Sequence, residues 1–270
     1  MPKTNLRTLW NRNKPVLNGW LQIDCPLTAE IMSRQDYDSI TIDMQHGIIG
    51  YTGSVSMLQS MHSSGVTPIV RVPWLDPSPI MKALDAGAYG IICPMINNRA
   101  EAEQFVSYMR YPPLGCRSFG PTRHNIIEKD YFQNANSEVI CIAMIETAEA
   151  MKNLNEIIST PGLDAVYIGP ADLTLGVTNG KLPPGMDREE PLMVKTIKQI
   201  LEVTKKEGKK ACLHCVNPDY AIKVISWGFD LVTLNSDSRL LSTAASDSIK
   251  AFREGLGNKR NIDDSDGGEY

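Results

Sequence analysis

Short runs of apolar, often β-branched residues recur along the chain, and each is followed by a longer stretch whose apolar positions return at helical spacing. That rhythm is the signature of repeated βα units. The short runs fall at residues 16–23, 39–43, 67–71, 90–93, 139–145, 165–168, 210–214 and 230–234. The helical stretches fall at 54–64, 77–86, 99–110, 148–159, 190–207, 218–227 and 238–254. Several runs, including GIIC, VICIAMI and AVYI, are apolar at every position. Parallel strands buried on both faces read this way, whereas an antiparallel sandwich would alternate. The pattern predicts an α/β fold, a (β/α)8 TIM barrel in a single domain over residues 1–255. An open doubly wound sheet is the alternative, but its glycine fingerprint is missing between the first strand and the first helix.

Two stretches interrupt the rhythm. Residues 111–138 are too long for an ordinary connection, and with Arg117, Arg123 and His124 they read either as a loop that selects substrate or as a charged surface loop. Residues 174–189 form a second insertion after the sixth strand, and the acidic, glycine-containing tail at 256–270 is expected to be disordered.

Composition narrows the function classes. Hydrophobic residues make up 42% of the 270, enough for a sizeable core, and the net charge of -4 leaves no basic surplus for nucleic acid or an anionic membrane surface. No apolar run approaches the ~20 residues of a spanning helix, and no apolar stretch follows the first basic residues. The expectation is a cytoplasmic protein with no membrane association and with six reduced cysteines.

In a barrel the chemistry sits at the carboxyl ends of the strands. The second strand runs into Asp43, Gln45 and His46, the third into Arg71, the fifth into Glu146 and the sixth toward Asp172. Glu146 and Asp172 close successive strands, so they would share one mouth and could hold Mg²⁺ or Mn²⁺, hard cations that take two carboxylates and leave positions open. Equally, each could be a helix cap. His46, three residues after Asp43, could be a base oriented by that carboxylate, or a loop histidine with a structural hydrogen bond. Arg71 at the end of an apolar strand needs an anion, from a substrate or from Asp43 or Asp85. Cys212 and Cys215 form a C-x-x-C without a second ligand pair, which reads as buried strand thiols. No glycine-rich phosphate loop follows the seventh or eighth strand, and no lysine ends a strand, which disfavours phosphorylated substrates and a Schiff-base mechanism.

Taken together, IDMQHG, VRVPW, LDAGAYGIICPMI, RYPPLGCRSFGP, MIETAEAMKNL and GLDAVYIGPADLTLG resemble the HpcH/HpaI class II pyruvate aldolases over residues 17–252. The resemblance implies a phosphoenolpyruvate/pyruvate-type barrel that reversibly cleaves a 4-hydroxy-2-oxo acid to pyruvate and an aldehyde through a pyruvate enolate. It implies a divalent cofactor, Mg²⁺ or Mn²⁺ with Co²⁺ as a further choice, on Glu146 and Asp172. His46 would be the base, Arg71 the enolate-stabilising arginine and Asp85 an acid raising the basicity of the histidine. Backbone around Ala171 would contact the pyruvate carboxylate. A homohexamer, a dimer of trimers exchanging the last helix, is also implied. Met144 stands where members of the family carry a substrate-contacting glutamine, and a thioether cannot donate that bond. Acyl-CoA-ester lyases of the citrate lyase β or malyl-CoA lyase type, and a non-catalytic pyruvate-binding barrel, are the alternatives.

Overall fold

The computed structural model describes residues 6–256. Eight strands form the sheet: β1 (Val16–Leu21), β2 (Ser39–Asp43), β3 (Thr67–Arg71), β4 (Gly90–Cys93), β5 (Ile140–Met144), β6 (Ala165–Ile168), β7 (Lys210–Cys215) and β8 (Leu231–Leu234). Each pairs in parallel with the next, and β8 pairs with β1 to close the barrel. The register sets Asp43 beside Arg71 and His214 beside Thr233, so the chemistry-bearing ends are level around the mouth.

The all-apolar strands are explained by two cores. On β5, Ile140, Ile142 and Met144 point into the lumen with Trp20, Ile69, Ile92 and Tyr167, while Cys141 and Ala143 join the layer between sheet and helices. Alternation is present, but both faces are dry. Helices Pro77–Asp85, Arg99–Met109, Ala148–Lys152 and Pro218–Trp227 start on Asp76, Asn98, Thr147 and Asn217, whose side chains each accept a first-turn N–H.

The sequence pattern missed five short helices. Leu6–Asn11 sends Leu6 and Trp10 into the lumen core below the strands, so it stoppers the amino-terminal end of the barrel. Pro26–Ser33 and Pro170–Thr178 follow β1 and β6, and the latter takes up the start of the stretch read as an insertion at 174–189. His124–Ile127 and Tyr131–Glu138 lie within residues 111–138. That segment joins a helix end to the start of β5, so it lies at the amino-terminal end, opposite the mouth; much of it is exposed, as a surface segment would be, but it is anchored by buried side chains. Arg117 is 2% exposed, stacks over Tyr111 at 4.5 Å, and donates to the Tyr131 hydroxyl at 3.0 Å and to Asp85 at 2.7 Å.

The barrel unit ends at Asp237, and the chain from Ser238 forms a second unit. Its described part lies in the helix Asp237–Gly255, where Leu241, Ile249 and Phe252, which share one face, are 65%, 52% and 67% exposed. The tail expectation for residues 256–270 falls outside the described residues except at Leu256. All six cysteines are unpaired, and Cys93, Cys141, Cys212 and Cys215 are buried.

His124 gives the barrel a pH dependence. It is fully buried, stacked on Tyr131 with ring centroids 3.7 Å apart, and among the described residues neither ring nitrogen has a well-formed hydrogen bond, the Ala88 backbone giving it only weak support. Burial, reinforced by the charges of Arg117 and Arg123, pushes its pKa down to about 3. The unfolded chain takes up a proton below about pH 6.5 while the folded chain stays neutral, so stability falls as pH drops from there toward 3. Urea melts between pH 7 and 4 should show that His124→Leu flattens this fall relative to the native chain; identical pH slopes would contradict the assignment.

Candidate active site

At the mouth, β2 and β3 end side by side and their last residues form a buried ion pair. Arg71 donates from Nε to Asp43 Oδ1 at 2.9 Å and from Nη2 to Oδ2 at 2.7 Å. Trp20 of β1 braces both partners: its Nε1 donates to Asp43 Oδ2 at 3.2 Å, and the guanidinium carbon lies 4.8 Å from its ring centroid. The Asp43 carboxylate, fully buried, also accepts the backbone N–H groups of Gln45 and His46 at 3.1 and 3.2 Å. Burial pushes this carboxyl up, but the Arg71 hydrogen bonds and charge outweigh it and hold it below its ordinary value.

Of the two readings of Arg71, the structure shows the internal pair. The arginine does meet Asp43, but that pairing uses only Nε and Nη2. Nη1 faces Met144, whose sulfur lies 4.0 Å away. A thioether is a weak acceptor. The donors on Nη1 are therefore fixed in direction by the Asp43 fork and are open to a stronger acceptor in the mouth.

His46 sits on the loop after β2, and its side chain is exposed. The expectation that Asp43 orients its imidazole needs correction. Asp43 holds the His46 backbone N–H, with no bond to the ring, because five donors already fill the carboxylate.

Glu146 ends β5 at 2% exposure and accepts the Met95 N–H on Oε1 at 2.8 Å. Met95 takes a left-handed φ of 57° beyond Pro94, an uncommon backbone for a non-glycine residue that aims this N–H at the carboxylate. Glu146 is not a cap, since Thr147 serves that role by accepting the Ala150 N–H at 2.9 Å. Burial, then the like charge of Asp172, raises the Glu146 pKa to about 7, with the Met95 N–H and Arg71 opposing. Asp172 and Ala171 occupy the first turn of helix Pro170–Thr178, where backbone N–H groups have no intrahelical carbonyl to meet. Asp172 makes no side-chain cap bond either, because Gly169 is the N-cap. A Cβ at that glycine would sit 2.8 Å from Glu146 Oε2 and 2.9 Å from Met144 Cε, so a larger residue would displace the ends of both side chains.

Arg71, Asp43 and Met144 are thus linked by direct contacts at one mouth, with Glu146 coupled by charge to Arg71 and to Asp172. Asp85 is not brought there. It closes helix Pro77–Asp85, which runs away from the mouth, and its carboxylate accepts from Arg117. Within one chain it cannot raise the basicity of His46. Sequence reasoning missed Trp20, Met95 and Gly169. Trp20 was legible in principle as a polar-edged aromatic on an inward position of β1; the Met95 backbone angle was not. It also missed a lumen chain in which Asn18 bonds Thr233 at 2.9 Å, and Tyr167 bonds Thr233 at 2.7 Å and His214 Nδ1 at 2.9 Å.

Removing one partner of the central pair leaves a buried charge uncompensated. Asp43→Asn should cost about 3–5 kcal/mol in urea unfolding. A loss below about 1 kcal/mol would place the pair with ordinary exposed ion pairs.

Comparison with known proteins agrees with this architecture. The family model described as HpcH/HpaI aldolase/citrate lyase matches residues 18–244. A hydroxypyruvate/pyruvate aldolase from Rhizorhabdus wittichii is 44% identical over 241 residues, covering 89% of this chain and 95% of the relative. A 4-hydroxy-2-oxo-heptane-1,7-dioate aldolase from Escherichia coli is 32% identical over 237 residues, covering 86% of this chain and 88% of the relative. Among solved structures, an HpcH/HpaI aldolase/citrate lyase family protein from Burkholderia cenocepacia superposes with a TM-score of 0.84 at 26% identity, covering 92% of this chain and 98% of the other. The chain belongs to the HpcH/HpaI aldolase/citrate lyase family.

Proposed function

We propose that this protein reversibly cleaves a 4-hydroxy-2-oxo acid into pyruvate and an aldehyde. The observation that carries the reading is the mouth in which the open Nη1 of Arg71 and the Glu146–Asp172 carboxylates flank one space, with His46 exposed on the adjoining loop.

Among the described residues no group of three or more His, Cys, Asp or Glu side chains forms a metal cluster. The donor set nevertheless fits a hard cation. Glu146 is buried beside a second carboxylate, its pKa is raised by burial and by that neighbour, and Oε2 has no hydrogen bond among the described residues. Glu146 and Asp172 would hold Mg²⁺ or Mn²⁺, with Co²⁺ a third choice, and would leave positions open for substrate oxygens. When bound, the ion supplies Lewis-acid polarisation of the keto group.

The chain's own residues do the rest. First-turn N–H groups at Ala171 and Asp172 receive the substrate carboxylate. His46, directly or through a water, takes the proton of the 4-hydroxyl as the bond between C3 and C4 breaks and the aldehyde leaves. The electron pair passes to the keto oxygen, where Arg71 Nη1 donates to the growing negative charge. His46 then returns the same proton to C3, giving pyruvate and restoring the base. Met144 walls this space with a group that takes little from Nη1, so the arginine's donor strength is kept for the substrate.

The homohexamer belongs to the same proposal. Its support is the apolar face of Leu241, Ile249 and Phe252, exposed in a single chain. Asp85 can meet a His46 only if another copy supplies it, which ties that residue's role to assembly. Four buried, unbridged thiols suit a reducing compartment, the cytoplasm. The acidic net charge supports a small-molecule substrate with no nucleic-acid partner.

Steady-state cleavage, followed by pyruvate release, tests these roles. His46→Ala should lower kcat by about 10²–10⁴-fold with pyruvate binding retained. Arg71→Lys should lower it by about 10²–10³-fold, because a point charge cannot fork to Asp43 and address the substrate as well. Near-native turnover in either variant would contradict the assigned role. Exhaustive chelation should abolish cleavage, with Mn²⁺ or Mg²⁺ restoring it, and borohydride added with pyruvate should leave activity intact; the opposite pair of results would point to an imine mechanism and overturn the reading.

A further inference from the structure

A cavity of about 270 Å³ opens at the amino-terminal end of the barrel, remote from the mouth, between the end of helix Tyr51–Ser60, the start of β3 and the segment carrying Arg123. Its walls are apolar where Leu58, Val66 and Ile127 face it, and polar at Arg123, His62 and Ser63. Arg123 is unusual among the described residues. The other arginines that are buried or half-buried, Arg7, Arg71, Arg110, Arg117 and Arg188, each meet a carboxylate within 3.0 Å. Arg123 meets none. It donates from Nη1 to the Ala86 carbonyl at 3.0 Å and from Nη2 to the Leu58 carbonyl at 3.1 Å.

Those two bonds fix the guanidinium at the carbonyl ends of two helices and leave three of its five N–H donors without a protein partner among the described residues. A half-buried guanidinium held rigid by backbone and left short of a counter-charge is a receptor for an anion. The Glu128 carboxylate is engaged by the hydroxyl of Tyr89, which also lines the cavity. Its charge favours a monoanion over a dianion. The apolar walls favour a ligand with a short hydrocarbon body.

We infer that this cavity binds a small aliphatic monocarboxylate, its carboxylate on Arg123 and its carbon chain against Leu58, Val66 and Ile127. The site is separate from the mouth and independent of the reaction proposed for it.

Butyrate is the probe, with butyramide and inorganic phosphate as comparisons, titrated by calorimetry at constant ionic strength and read again as a rise in Tm. Butyrate should bind saturably to the native protein, more tightly than phosphate, and butyramide should not bind. Exposed Ser63 provides variants that spare the core. Ser63→Glu should weaken butyrate by about fivefold or more and Ser63→Lys should tighten it, both with native Tm, since an added charge acts within a Debye length and the mouth lies at the far end. Arg123→Gln should weaken it by about tenfold if the variant folds. Absence of saturable binding, affinity unchanged in both Ser63 variants, butyramide binding as well as butyrate, or phosphate binding more tightly would each overturn the inference.

Discussion

The buried pairing of Arg71 with Asp43 is the constraint on which the mouth depends. An ion pair at 8% and 0% exposure is costly unless every remaining donor and acceptor is answered. Here Asp43 answers with five bonds, to Arg71 twice, to Trp20, and to the N–H groups of Gln45 and His46. One carboxylate therefore sets the direction of the arginine, the position of the indole beneath it and the start of the loop that carries the histidine. What Asp43 leaves over is Nη1, which faces the Met144 sulfur and not a stronger acceptor.

The two ends of the barrel divide the labour. At the carboxyl end polar groups are left open: His46 is exposed, Asp172 makes no cap bond, and Glu146 has a raised pKa of about 7. At the amino end the buried carboxylates and most arginines are paired, while His124 is buried with no well-formed hydrogen bond to its ring nitrogens. Asp164 is bonded by both Arg7 and Arg110, Arg117 by Asp85 and Tyr131, and Leu6 and Trp10 stopper the lumen. Open acidic groups with raised pKa values are what catalytic sites collect. Arg123 departs from that division, which is why it stands out.

Much of this was legible in the sequence, and the exceptions share a cause. Strands such as 39–43, 67–71 and 90–93 were readable to the residue, because a dry parallel strand is a short apolar run bounded by polar ends. Glu146, Asp172, Arg71 and His46 were readable because strand ends in a barrel converge. The location of residues 111–138 was not, since polarity resembles that of a solvated loop until Arg117 is seen between Tyr111 and Tyr131. Helix Leu6–Asn11 is too short for periodicity to show. The partner of Asp43 is a question of which donor arrives first, and spacing suggested the imidazole where the fold delivers an N–H.

The central claim is that Arg71 and His46 act on one pyruvate enolate. Exchange of the pyruvate methyl protons with D₂O, followed by proton NMR with a divalent cation and without aldehyde, isolates that step. The account predicts exchange in the native protein and its loss, in parallel, in Arg71→Lys and His46→Ala. Exchange at the native rate in Arg71→Lys would contradict it, because the arginine would then be acting on the aldehyde and not on the enolate.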